Sequence, residues 1–216
     1  MDFDYILVTL VGKHKLYSAP LFWKYIEGLN IQPGEILVSS TKEIFNLFMK
    51  PYKGRTPVRW VHGEDDTGND QIESTTSARE KLRQEILETP YVWSAWLDND
   101  ILVPPDYIEK FQKFLEKYPD AVLVNSFHPA RQRNERMRHG LGSSFIHRDV
   151  LSAYPFTMAT LRGKNLGDDY LWKILMSQFS SIFGFKMPHG AFFNVKHAIE
   201  DGSVREFDEN DRGDLI

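Results

Sequence analysis

The side chains best suited to chemistry in this sequence are aspartates at the ends of apolar runs. In Trp93-Ser94-Ala95-Trp96-Leu97-Asp98-Asn99-Asp100-Ile101 an apolar stretch leads straight into two carboxylates at i and i+2. Alternation along an extended chain turns both to one side. Their oxygens suit a hard divalent cation, Mn²⁺ or Mg²⁺, which then keeps positions open for water or a diphosphate. A second pair stands in Asn165-Leu166-Gly167-Asp168-Asp169-Tyr170, where a helical pattern opens. One aspartate is enough to cap a helix, so the other is available as a general base toward a hydroxyl. His197, just after a short apolar segment, is a candidate further ligand for the cation. The other six histidines show no i, i+4 pairing of the metalloprotease kind. Each candidate also has an ordinary reading: a turn cap for Asp98, an N-cap for Asp168 or Asp169, a surface imidazole for His197.

Basic residues supply the complementary chemistry. Lys13 and Lys15 follow the first strand-like run, Arg79 lies in a helical segment, and Arg131, Arg133, Arg136 and Arg138 crowd residues 128–139, opposed only by Glu135. Guanidinium groups recognise phosphate through paired hydrogen bonds, although such a run can equally be a solvated loop. The 216 residues carry 26 Lys plus Arg against 30 Asp plus Glu, a net charge of -4. Residues 201–216 hold six acidic and two basic side chains, so the whole excess sits in this tail and the body is neutral. That balance argues against general nucleic-acid binding but not against a diphosphate bridged by a cation.

Several classes are excluded outright. With no Cys there is no disulfide scaffold, thiolate metal site or Cys nucleophile, and a reducing, cytoplasmic setting is the expectation. The longest apolar stretch, residues 5–11, falls far short of the roughly 20 needed to span a bilayer, and no signal-peptide pattern opens the chain. Gly-x-Gly-x-x-Gly, the P-loop and Gly-x-Ser-x-Gly are all missing.

The elements that must position these residues alternate. Continuous β-branched runs at 5–11, 35–40 and 58–62 read as strands buried on both faces, and 91–97, 121–124 and 140–147 extend the series. Between them the spacing predicts helices from Pro20 to Gly28, over 77–88 behind a Ser77-Ala78-Arg79-Glu80 capping box, and from Pro104-Pro105 to Tyr118. A further helix is expected from Asp168 or Asp169, then short strands at 183–187 and 191–195. Residues 63–73 read as a loop. The alternation predicts an α/β fold, one domain over 1–200 with an acidic tail at 201–216, and a mixed, mostly parallel central sheet. In such sheets ligands bind outside the carboxyl ends of the strands.

Taken in order, these features resemble nucleotide-sugar glycosyltransferases of the GT-A fold, in particular the broad family 2-like group. The landmarks are the opening strand, the Ala78-Arg79 helix, Asp98-Asn99-Asp100 as an Asp-x-Asp motif, Gly140-Leu141-Gly142, Gly167-Asp168-Asp169 in place of a Glu-Asp motif, and His197. The resemblance implies a Rossmann-like three-layer α/β/α sandwich. It also implies transfer of a sugar from a nucleoside-diphosphate sugar to a glycan or other hydroxyl acceptor, with Mn²⁺ or Mg²⁺. By position, Asp100, Asp98 and His197 would hold the metal, and Asp98 would also reach the donor. Arg79, Thr9, Lys13 and Ser39 would bind the donor, and Asp169, supported by Asp168, would be the base of an inverting reaction. Two departures are visible: Ser39-Ser40-Thr41-Lys42 stands where the family carries an acidic residue near the nucleobase, and Asp168 replaces a Glu. The rival readings are a sugar-nucleotide nucleotidyltransferase, whose Gly-rich basic loop Val11-Gly12-Lys13-His14 does not reproduce, and a noncatalytic carbohydrate-binding module using Trp23, Trp60, Trp93, Trp96 and Trp172.

Overall fold

A computed structural model describes residues 3–64, 71–125, 141–157, 159–161, 164–166 and 195–205. The order is β1 (Tyr5–Leu10), a 3-10 helix (Lys13–Ser18), α1 (Ala19–Glu27), β2 (Glu35–Ser40), α2 (Lys42–Phe48), β3 (Val58–His62), α3 (Gln71–Leu87), β4 (Trp93–Leu97) and β5 (Ile101–Leu102). There follow α4 (Tyr107–Lys117), β6 (Leu123–Asn125), β7 (Ser143–His147), α5 (Arg148–Ala153), β8 (Ala159–Leu161), β9 (Lys164–Leu166), β10 (Lys196–Ala198) and β11 (Val204–Arg205). The main sheet runs β3-β2-β1-β4-β7-β6. Its first four strands are parallel, and β7 is antiparallel to both β4 and β6.

Strand alternation builds the two cores. Tyr5 and Leu7 of β1 pack with Phe22, Trp23 and Ile26 of α1 and with Phe48 of α2, whereas Ile6 and Val8 pack with Leu82 and Ile86 of α3 and Leu151 of α5. The sheet is therefore covered on both faces, which is why its strands read as unbroken apolar runs. The result is the expected three-layer α/β/α sandwich with a mixed, mostly parallel sheet. On the α1 side Phe111 of α4 stacks on Phe145 of β7 at 3.7 Å between ring centres, and the Trp23 indole N–H donates to the Phe48 carbonyl at 2.7 Å.

Several short elements depart from the expectations. α2 is capped by Thr41, whose hydroxyl accepts the Ile44 N–H. α5 is capped by His147, whose Nδ1 accepts the Asp149 N–H. The β8–β9 hairpin and the 3-10 helix after β1 also carry too few residues for a periodic signal.

α3 begins at Gln71 rather than Ser77, so the Ser77–Glu80 capping box lies inside the helix. Its buried face reads Thr76, Ala78, Arg79, Leu82 and Ile86. Two polar members blur the apolar period over its first turns. Glu80 bonds Arg83 and accepts the Phe156 N–H at 2.9 Å instead of reaching back along the helix. Burial alone would raise the Glu80 pKa, but the hydrogen bonds from Arg83, Phe156 and Gln84 outweigh it and hold the carboxyl below its ordinary value. At the other end of α3 the Arg148 guanidinium donates to the Leu87 and Thr89 carbonyls, closing the helix with a side chain from α5.

A second sheet, β11-β10-β5, is antiparallel and brings the segment after residue 194 back over the end of β4. Among the described residues no helix is long and apolar enough to cross a membrane. The expected loop at 128–139, the Asp168-Asp169 helix and the strand at 183–187 lie outside the described residues, as do 191–194 and 206–216 of the expected last strand and tail.

Candidate active site

The sheet order makes β1 the switch point. β2 and β3 lie on one side of it and β4 on the other, so the crossovers leave β1 and β4 in opposite directions and open a crevice at their carboxyl ends. Asp98 stands just past β4, and its backbone closes a tight turn by accepting the Ile101 N–H at 2.9 Å. Asp100 is 1% exposed. A carboxylate at that depth without partners would cost on the order of several kcal/mol, and here Lys15 and His197 are among its partners. Lys15 Nζ lies 3.1 Å from its Oδ1, and His197 Nε2 lies 3.1 Å from its Oδ2. The same ammonium is 3.5 Å from Asp98 Oδ2.

Each partner is delivered by a different element. His197 arrives through the pairing of β10 with β5, which sets His197 opposite Ile101 and bonds the Ala198 N–H to the Asp100 carbonyl at 2.8 Å. Lys15 arrives on the 3-10 helix. Asn99, fully buried between the two aspartates, holds that helix: its Nδ2 donates to the Lys15 carbonyl and to Ser18 Oγ, both at 2.8 Å. Gly142, just before β7, is a close-approach position. Its carbonyl accepts the Asp98 N–H, and a Cβ there would sit 2.5 Å from the Asp98 carboxyl. Asn99, Lys15 and Gly142 are thus site residues that the motif reading left unassigned. The available signals were an amide between two aspartates, a lysine beyond β1 and the Gly-Leu-Gly spacing.

The donors present suit a hard cation. Two adjacent ligands at about 2.1 Å on an octahedral ion are about 3 Å apart, which is the separation of His197 Nε2 and Asp100 Oδ2. Among the described residues no three His, Cys, Asp or Glu side chains converge as a ready-made metal-ligand group. Only the Asp100–His197 pair has this spacing, and any further ligands of a cation held there would have to come from Asp98, water or substrate.

Beside this centre, on the α3 face, Arg79, Asp98 and Gly142 line a shallow cleft with Val8, Leu10, Trp96, Leu97 and Leu141. Arg79 is buried in α3. Ser39, at the end of β2, has its hydroxyl turned under Gly63, where a Cβ would meet it at 2.7 Å. The Ser39 and Thr9 hydroxyls are buried and have no hydrogen-bond partner. Alternation places Ser39 on the face of Leu37, the α3 side, and Thr9 on the face of Tyr5 and Leu7, the α1 side. Lys13 is exposed at the start of the 3-10 helix. Asp168 and Asp169 lie outside the described residues.

The aromatic supply is used inside. Trp23 and Trp96 are core residues, and the Trp96 and Trp60 indoles donate to Ser94 Oγ and to the Ser40 carbonyl. Trp93 packs edge-on against Phe111, and Trp172 lies outside the described residues.

No protein-family model matches the sequence, and no curated protein does. Solved structures do. Mouse xyloside xylosyltransferase 1 in its apo form superposes with a TM-score of 0.56 at 11% identity, over 93% of this chain and 99% of that one. Glucosyl-3-phosphoglycerate synthase from Mycobacterium tuberculosis, in complex with phosphoglyceric acid, gives 0.58 at 13% identity, over 90% of this chain and 71% of that one. A second structure of the M. tuberculosis synthase gives 0.54 at 12%, over 87% and 69%. Likeness of this extent at such low identity establishes architecture: the chain has the GT-A glycosyltransferase fold.

Proposed function

We propose that the protein is a metal-dependent glycosyltransferase that moves a sugar from a nucleoside-diphosphate sugar to an acceptor hydroxyl. The observation that carries this reading is the Asp98-Asn99-Asp100 turn at the β1/β4 switch point of a GT-A fold, with Asp98 half-buried, Asn99 and Asp100 buried, and His197 against Asp100. Asp100 and His197 would hold Mn²⁺ or Mg²⁺ directly, and Asp98 would complete the set while facing the donor. When bound, the cation would offset the charge that builds on the leaving diphosphate.

The chain's own residues do the rest. Asp98 and Arg79 line one cleft, so a donor seated there meets both a carboxylate suited to ribose hydroxyls and a guanidinium suited to phosphate. Ser39 lies on the same face with a buried hydroxyl that has no partner among the described residues, and it would reach the nucleoside once the chain at Gly63 moves aside. Lys13, exposed on the 3-10 helix, is suited to steering an anionic donor, and Thr9, one residue before the end of β1, is the remaining donor-binding candidate. Asp169, supported by Asp168, is assigned as the base of an inverting transfer on the strength of the motif resemblance. The acceptor is a glycan or another hydroxyl compound.

The test is turnover. Purified protein is incubated with Mn²⁺ and a panel of nucleoside-diphosphate sugars, including glucose and xylose donors because those sugars appear in the names of the structural neighbours. Release of nucleoside diphosphate is followed by mass spectrometry, alone and with added hydroxyl acceptors. Turnover that disappears in Asp100→Ala supports the reading, whereas full turnover in that variant contradicts the metal assignment.

A further inference from the structure

We infer that Lys15 is a built-in counter-ion that competes with the divalent cation for the Asp98–Asp100 pair and yields its place only when a nucleoside diphosphate enters with the metal. This deepens the metal-dependent reading above and rests on it.

The placement of the ammonium is constructed. Lys15 Nζ sits 3.1 Å from Asp100 Oδ1 and 3.5 Å from Asp98 Oδ2, bridging the motif's two carboxylates. Its backbone is gripped from three sides. The Lys15 carbonyl accepts Asn99 Nδ2 and Ser18 Oγ, both at 2.8 Å, and its N–H donates to the Gly12 carbonyl at 3.0 Å. The middle residue of Asp-Asn-Asp thus reaches across the switch point to hold the residue whose side chain reaches back to the flanking aspartates.

The consequence follows from occupancy. Both oxygens of Asp100 are engaged, Oδ1 by Lys15 and Oδ2 by His197. A cation that takes Oδ1 must displace the ammonium or sit beside it against like-charge repulsion. The ammonium sits on a flexible four-carbon stem, and Asn99, Ser18 and Gly12 hold the Lys15 backbone independently of it, so the side chain can move while the backbone stays in place. A diphosphate arriving with the metal offers the departing ammonium a new anionic partner, since lysine binds phosphate as a point charge. Metal alone takes the carboxylates from the ammonium, whereas metal with diphosphate also brings an anion to it. Binding of the two is therefore positively coupled, and part of the coupling passes through Lys15.

The experiment reads Mn²⁺ binding without catalysis. Titration calorimetry, checked by the electron paramagnetic resonance signal of free Mn²⁺, is run on wild type, Lys15→Met, Lys15→Gln and Lys15→Arg, with and without a nucleoside diphosphate. Circular dichroism checks the fold of each variant. Lys15 is partly exposed, and Lys15→Gln provides a polar alternative should Lys15→Met fail to fold. Without nucleotide, Lys15→Met and Lys15→Gln should bind Mn²⁺ more tightly than wild type by about tenfold or more, while Lys15→Arg, which keeps the charge, should stay as weak as wild type. With Mn²⁺ present, both neutral variants should lose affinity for the nucleoside diphosphate. Equal Mn²⁺ affinity in wild type and the neutral variants would overturn the inference and leave the metal site standing. No Mn²⁺ binding by any variant, with or without nucleotide, would overturn both.

Discussion

The two flanks of β1 treat buried polarity in opposite ways. On the β4 side a nearly inaccessible carboxylate is cross-braced by Lys15 and His197, and the turn that carries it is clamped by Asn99. At the ends of β1 and β2 the Thr9 and Ser39 hydroxyls are just as deep and have no partner. Magnitudes explain the difference. A buried charge left alone costs several kcal/mol and must be neutralised in the free protein. An unpaired hydroxyl costs about 1–3 kcal/mol, which a fold of ordinary stability can carry. The charges of the first flank are therefore paired in the free protein, with Asn99 Oδ1 left without a hydrogen bond among the described residues, while the hydroxyl flank carries no charge and keeps unused hydrogen-bonding capacity.

Substitutions can break or sharpen that contrast. The largest effect is expected on the charged flank. Asp100→Asn keeps volume but removes the charge that gathers Lys15 and His197, and should lower sugar transfer by about 10²–10³-fold, the range seen when one preorganised electrostatic group is lost. A smaller loss in steady-state kinetics would mean that Asp100 is mainly structural. Asn99→Ala removes both hydrogen bonds to the 3-10 helix and should cost about 2 kcal/mol, a fall in Tm of about 4–8 °C for a chain of this size. An unchanged melting curve would show that the clamp is not what holds Lys15.

Gly142→Ala separates stability from function. The three atoms nearest its new Cβ would all belong to the Asp98 carboxyl, the movable end of a part-exposed side chain. Urea denaturation should therefore change by less than about 1 kcal/mol, while nucleoside-diphosphate affinity falls about tenfold, the equivalent of one displaced hydrogen-bonding group. The smallest changes belong to the hydroxyl flank. Ser39→Ala and Thr9→Val each remove an unsatisfied group, so stability should hold or rise by up to about 1 kcal/mol. Only Ser39→Ala, on the cleft face, should also weaken nucleotide binding, by about fivefold. Destabilisation by either would show that these hydroxyls already have partners.

How much of this was legible in the sequence depended on range. β2 and β3 fall where the runs at 35–40 and 58–62 put them: β2 is buried along nearly its whole length, and β3, at the sheet edge, keeps its place although Arg59 interrupts it to pair with Glu35 and Glu85. Asp98 and Asp100 could be singled out because an apolar strand runs directly into them. The contact between Asp100 and His197 could not, since it spans 97 residues and depends on β10 pairing with β5, and β5 is a two-residue strand with no signal of its own. Lys13 and Lys15 look alike on paper. The 3-10 turn leaves Lys13 exposed and swings Lys15 onto the aspartates. The start of α3 was hidden for a related reason: Arg79 belongs to its buried face, where an apolar stripe would be sought.

The central claim is that the β1/β4 switch point is a metal-dependent nucleoside-diphosphate site. Titration calorimetry of wild-type protein with a panel of nucleoside diphosphates tests it most directly. The account predicts saturable binding of at least one of them with Mn²⁺ or Mg²⁺ present and none with chelator. Binding that ignores the cation, or no binding across the panel, would contradict it.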